Sequence, residues 1–158
     1  MRNLRPLPTL FQTIFLWLAC ATSITGTTPA QTNTGNAGKE AATPAQGSPE
    51  RKAVLDGVRA RLKLKSQFRV YHLKTNGNWA YFHGGEVVDA GDGELQETDL
   101  DVKTLLQRKT AGGKTSWIVI EIWTLPTDDK LSYKSFVARA RQRQKAANVP
   151  ADIFPSDM

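Results

Sequence analysis

Apolar and polar residues alternate over 68–83, FRVYHLKTNGNWAYFH, as two strands that meet at Asn76-Gly77. Asn-Gly favours a two-residue type I′ turn, in which both central residues take positive φ. Counting outward from such a turn sets Lys74 opposite Trp79, Leu73 opposite Ala80, His72 opposite Tyr81 and Tyr71 opposite Phe82. One face then carries Tyr71, Leu73, Ala80 and Phe82 and reads as core. The other carries Val70, His72, Lys74, Trp79, Tyr81 and His83, a mixture of aromatic and basic groups. Strands over 102–109 and 116–125, joined by the glycine-rich 110–115, predict a second hairpin. In its last strand Trp117, Val119, Glu121 and Trp123 alternate with Ile118, Ile120, Ile122 and Thr124. The isoleucine face is expected to be buried, while Glu121 would be costly to bury unpaired.

Ser48-Pro49-Glu50 has the form of a helix start: an N-cap serine, proline at the first helical position and an acid where the helix dipole favours it. Val54, Leu55, Val58 and Leu62 follow on one stripe, which Gly57 weakens. A second helix starts at Asp128-Asp129 or at Ser132, with Tyr133, Phe136, Val137 and Ala140 at helical spacing, and it stops before Pro150. Ile153, Phe154 and Pro155 are expected to pin the tail to the core. The stretch 84–99, with four glycines and many acids, reads as a loop or a ragged hairpin connection around Glu86–Asp89. The sum is an α+β domain: an N-terminal helix, a four-stranded antiparallel meander of two hairpins, and a C-terminal helix packed on the sheet, with both helices on one side.

The first third of the chain does not share this patterning. Arg2 and Arg5 precede a short apolar run, Leu10 to Ala19, and Ala19-Cys20-Ala21 supplies small residues for cleavage, so 1–21 reads as an export signal. Leu18-Ala19-Cys20 also has the outline of a lipobox, which would leave Cys20 acylated and the protein anchored at the outer membrane rather than free in the periplasm or secreted. Residues 22–47, rich in Thr, Ala, Gly, Asn, Gln and Pro, read as a disordered low-complexity linker. The folded domain is then 48–158, without a disulfide. Loss of Arg2 and Arg5 leaves 19 Lys+Arg against 15 Asp+Glu, a mild excess of +4 that attracts anionic partners without naming one.

Charge and motif narrow the chemistry. The acids Glu86, Asp89, Asp92, Glu94, Glu97, Asp99 and Asp101 lack calcium-loop spacing and read as a solvated acidic loop. Ala111-Gly112-Gly113-Lys114-Thr115 has half the residues of a phosphate-binding loop but is followed by a strand, so it is rejected. No cofactor motif and no nucleophile–base pattern is present, and no resident metal is expected. His72 and His83 fall as diagonal neighbours in the inferred register; a zinc site on them would need Glu121 or Asp128 as a further ligand. Arg139, Arg141, Arg143 and Lys145 make the second helix basic, a candidate surface for anionic lipid or polysaccharide. Nucleic acid is not an expected partner of an exported protein whose arginines have no aromatics between them.

Several stretches resemble a family of small exported bacterial proteins of unknown function: RKAVLDGVR from 51, GNWAYF from 77, LLQRK from 105, Thr127-Asp128, and VPADIF from 149. The resemblance implies a fold similar to the cystatin and NTF2-like group and brings no catalytic residues with it. The expectation is therefore a non-catalytic binding module of the cell envelope. Its partner would be an envelope protein, peptide or glycan, held by the face that carries His72, Trp79, Tyr81 and His83 or by the concavity beneath it. The alternatives are an enzyme or metal site on His72 and His83, and a basic anionic-surface domain.

Overall fold

A computed structural model describes residues 40–91, 93–126 and 132–158. The signal, Cys20, most of the linker, Asp92 and Asp128 lie outside the described residues. The element order is α1 (Pro49–Leu62), β1 (Gln67–Thr75), β2 (Trp79–Asp89), β3 (Leu95–Ala111), β4 (Lys114–Leu125) and α2 (Tyr133–Ala147), followed by a 3-10 turn over Ala151–Ile153. The strands form one antiparallel sheet in the order β1-β2-β3-β4, an α+β architecture. Ser48 Oγ accepts from Arg51 N at 3.2 Å to cap α1, and Ser132 Oγ accepts from Ser135 N at 3.2 Å to cap α2. Among the described residues no helix is long and apolar enough to cross a membrane.

The two helices lie on opposite faces of the sheet, not on one side. Val54 and Val58 of α1 pack on Leu73, Ala80, Phe82, Val102, Leu106 and Trp117. Phe136 and Ala140 of α2, with Val149, Ile153 and Phe154, pack on Trp79, Tyr81 and Leu105. The cause is visible in consecutive residues: Tyr81 and Phe82, and Leu105 and Leu106, are all buried, so the central strands present apolar side chains both ways. A sheet with two apolar faces needs a cover on each.

The first hairpin does not use the two-residue turn. Thr75 pairs with Ala80, Leu73 with Phe82 and His72 with His83, two positions from the expected register. Asn76 does not take a positive φ; its Oδ1 accepts from Asn78 N at 3.1 Å and Trp79 N at 2.8 Å, closing a wider loop. Arg108 of β3 holds that loop from outside, its backbone N donating to Asn78 O at 2.8 Å. Tertiary contact and an Asn side chain thus displace the local turn preference. Because the displacement is even, Leu73, Ala80 and Phe82 keep the α1 face and His72, Trp79, Tyr81 and His83 keep the other. The turn with positive φ at both central residues occurs instead at Gly112-Gly113, between β3 and β4.

Two bulges break the simple alternation. In β1 the extra residue is Tyr71, which leaves the core and is 52% exposed, while Val70 packs on the α1 cluster. In β4, Leu105 pairs with Glu121 and Leu106 with Val119, so Ile120 is the extra residue. Trp117, Val119 and Ile122 therefore belong to the α1 side, Ile120 and Trp123 to the α2 side, and Ile118 stays exposed. The expected single isoleucine face does not exist, since one inserted residue inverts every position beyond it.

The stretch over 84–99, expected as a loop or a hairpin connection around Glu86–Asp89, is a hairpin that is largely strand, with the turn moved to the residues around Gly91; Ala90 N donates to Glu94 O at 2.8 Å. Two of its acids are partnered by residues distant in sequence. Glu86 accepts from Ser66 and from Thr98 Oγ1, and Glu97 meets Arg69 at 3.0 Å and Tyr71 Oη at 2.7 Å. Cross-strand pairing overrides the low strand propensity of acids and glycines.

Candidate functional site

The face of the sheet toward α2 carries His72, Trp79, Tyr81 and His83, but it is not an open aromatic surface. Trp79 is 8% exposed and Tyr81 not at all, because α2 and the C-terminal segment cover them. His72 and His83 are directly opposed in the ladder rather than diagonal, and their outer nitrogens lead in different directions. His72 Nε2 lies 2.8 Å from the Ile153 carbonyl, a geometry in which it donates. His83 Nε2 lies 2.9 Å from Asp101 Oδ1. Neither nitrogen is left for a shared metal. Glu121, the third ligand a zinc site would need, is committed to α2, and among the described residues no three His, Cys, Asp or Glu side chains gather as a metal site.

The basic helix is likewise turned inward for most of its charge. Arg139 Nε donates to Glu121 Oε2 at 2.7 Å and Arg143 Nε to Oε1 at 3.1 Å. Arg141 donates to Gln144 Oε1 at 2.8 Å and to the Met158 carbonyl, with its guanidinium 5.2 Å from the centre of the Phe154 ring. Lys145 remains on the exposed side. The demand that buried Glu121 be paired was visible in the sequence, and these arginines meet it.

At the β1 margin of this face lies an open groove of about 700 Å³, lined by His72, Lys74, Arg141, Asp152, Phe154 and Pro155. Its floor is aromatic and its walls are mainly cationic. The single acid, Asp152, is turned toward the chain entering the domain, with Oδ2 accepting from Ala41 N at 3.1 Å.

On the far side of His72, polar and aromatic groups cross all four strands: Tyr71 of β1, His83 of β2, Asp101 and Lys103 of β3, and Trp123 of β4, with Tyr133 of α2 above. Lys103 Nζ meets Asp101 Oδ2 at 2.7 Å and lies 4.9 Å from the centre of the Trp123 ring and 5.4 Å from that of Tyr133. Tyr71 meets His83 edge-on, with ring centres 5.0 Å apart. Among the described residues Asp101 Oδ1 has no hydrogen-bond partner apart from its contact with His83. The hydroxyl of buried Tyr81 also has no partner among the described residues. Burial pushes the Tyr81 and Tyr133 phenols up, and the hydrogen bond to Glu97 does the same for Tyr71, so all three carry their protons at neutral pH. Sequence reading missed this row because Asp101 was counted with a solvated acidic loop; the available signal was Asp101 and Lys103 two apart, on one side of a strand.

Burial, helped by the nearby Lys103 charge, lowers the His83 pKa below its ordinary 6.5, against the pull of Asp101. The folded state then binds this proton less well than the unfolded state. The associated stability is present above pH 6.5 and is lost as pH falls through the lowered value. The wild-type melting temperature is expected to fall more steeply than that of His83→Gln between about pH 7.5 and about pH 5. A steeper fall in the variant would mean that attraction to Asp101 outweighs burial.

Comparison with protein-family models, with curated proteins and with solved structures finds no match.

Proposed function

We propose that the protein is a non-catalytic binding module of the cell envelope that holds an acidic, partly apolar peptide segment of another protein in the β1-margin groove. The observation that carries this reading is the gathering of His72, Lys74 and Arg141 around the Phe154 and Pro155 surface in an open groove. Cationic walls select acidic side chains, and the aromatic floor takes apolar ones. The test is titration of the full chain with a decapeptide alternating Glu and Leu. Binding is expected to weaken with added salt and to fall about tenfold or more in Lys74→Glu, which reverses a charge at the contact. Equal binding by the variant, or capture of neutral oligosaccharides at this groove instead, would remove the reading.

The envelope location rests on the basic start, the apolar run and Ala19-Cys20-Ala21. Intact mass of the mature protein separates the two forms: a chain beginning at Thr22 for the favoured periplasmic or secreted protein, a lipid-modified Cys20 for the anchored one. An uncleaved Met1 would exclude both. We also place the domain with the cystatin and NTF2-like group, on the quoted residue matches and the order of a helix before a four-stranded meander. A crystal structure in which the sheet runs flat past α1 would remove that placement.

A further inference from the structure

The β3–β4 hairpin reaches past the rest of the sheet. β2 begins at Trp79, which pairs with Gln107, so beyond that pair 108–111 and 114–117 are strand partners only to each other and end in the exposed Gly112-Gly113 turn. Four pairs carry the tip about 13 Å outward. The arm is rooted by Trp117, buried under α1, and Thr110 Oγ1 meets Thr115 Oγ1 across it at 3.0 Å.

The two faces of the arm differ. Strand alternation from Leu105 puts Gln107, Lys109 and Ala111 on the α2 side of the sheet, and their partners Ile118, Ser116 and Lys114 share that face. Lys109, Lys114 and Ser116 are exposed, and Ile118 is 44% exposed. Among the described residues neither lysine forms an ion pair. Between Asp101 and Glu121 the chain has no acid and four cations, Lys103, Arg108, Lys109 and Lys114. Glu50 of α1 lies on the opposite side of the arm, where it lines a cavity with Arg108, Thr115 and Trp117. The chain also enters the domain at this end of the sheet, since Ala42 pairs with Thr75, the last residue of β1.

A lone exposed isoleucine needs no explanation. Beside two uncommitted lysines, on a projecting face without acids, it completes the pattern of an interfacial contact: cations for phosphate groups and an apolar side chain for the layer beneath them. A soluble polyanion would use the lysines and leave Ile118 idle, and a peptide would need a concave seat that a projecting arm does not offer.

We propose that the β3–β4 arm, through Lys109, Lys114 and Ile118, rests on an anionic lipid surface. A domain attached to a membrane through the residues before Glu40 would meet it with this end. The contact is separate from the β1-margin groove and does not depend on what the groove holds.

The test uses the mature protein with vesicles of phosphatidylcholine alone and with about 30% phosphatidylglycerol. Sedimentation reads binding. A nitrobenzoxadiazole label on Ser116→Cys reads the arm itself, so an acylated chain that enters every vesicle is tested as well. Binding and a blue shift of the label are expected with the anionic vesicles only, and both fade as salt is added. Lys109→Glu with Lys114→Glu is expected to weaken binding about thirtyfold or more, since each lysine near an anionic leaflet is worth roughly fivefold. Ile118→Ser is expected to weaken it about threefold to tenfold. Lys134→Glu with Lys145→Glu, the same change in net charge placed on α2, is expected to alter it by less than about threefold. Label emission that does not differ between the two vesicle types, an equal loss from the α2 pair, or capture of dextran sulfate without binding to the vesicles would overturn the proposal.

Discussion

Replacing Arg139 and Arg143 together by methionine is expected to destabilise the domain by about 3–5 kcal/mol, a fall of roughly 12 °C or more in melting temperature at this size. Both guanidinium groups converge on Glu121, whose carboxylate is buried at 8% exposure between β4 and α2. Methionine retains much of each apolar stem, so the packing of α2 survives while the countercharge is lost. An unpaired buried carboxylate is the costly product. Adding Glu121→Leu to the double variant is expected to recover most of the loss, since an apolar replacement of a buried ion cluster is often neutral or better. If the double variant melts within about 3 °C of wild type, Glu121 reaches water without its arginines and does not anchor α2.

Gly57→Ala offers a second sharp expectation, because local and tertiary effects have opposite signs. Alanine favours an isolated helix by about 1 kcal/mol over glycine. Here, a Cβ added at Gly57 would lie 2.5 Å from the Trp117 carbonyl oxygen and 3.1 Å from its Cβ. The obstacle is backbone rather than a movable side-chain tip, so α1 must shift away from β4. A net loss of about 1–3 kcal/mol is expected from overpacking, measured by urea or thermal unfolding. A rise in stability would show that α1 does not approach the strand so closely.

The same glycine shows how far one-dimensional reading reaches. As a helix position Gly57 counts only as a weakness; its value lies in a contact with a residue sixty positions later. Capping and periodicity were legible where they depend on neighbours in sequence, as at Ser48, Ser132 and the Val54–Val58 stripe. The side of the sheet kept by His72, Trp79, Tyr81 and His83 was also legible, because a two-position error in register preserves it. The bulges at Tyr71 and Ile120 were not, since nothing local to either residue marks the insertion. The site divided along that boundary. His72 and His83 stood out as titratable strand residues, but Asp101 and Lys103 acquire their meaning only when β3 is brought beside β2 and α2 lowers Tyr133 over them. Likewise the arginines of α2 look like a surface charge run until Glu121 is placed beneath them.

Both ends of the folded domain are held at the groove. Ala41 bonds to Asp152 at the groove, and Arg141, another wall of the same groove, holds the Met158 carbonyl. A fluorescent label, affinity tag or chip linkage attached just before Glu40 or just after Met158 would therefore crowd the surface under test. The remote place for an attachment is the Gly112-Gly113 turn, at the opposite margin of the sheet, where both glycines are exposed and an added Cβ meets nothing within 4 Å. Immobilised there, the domain would present its groove to solution.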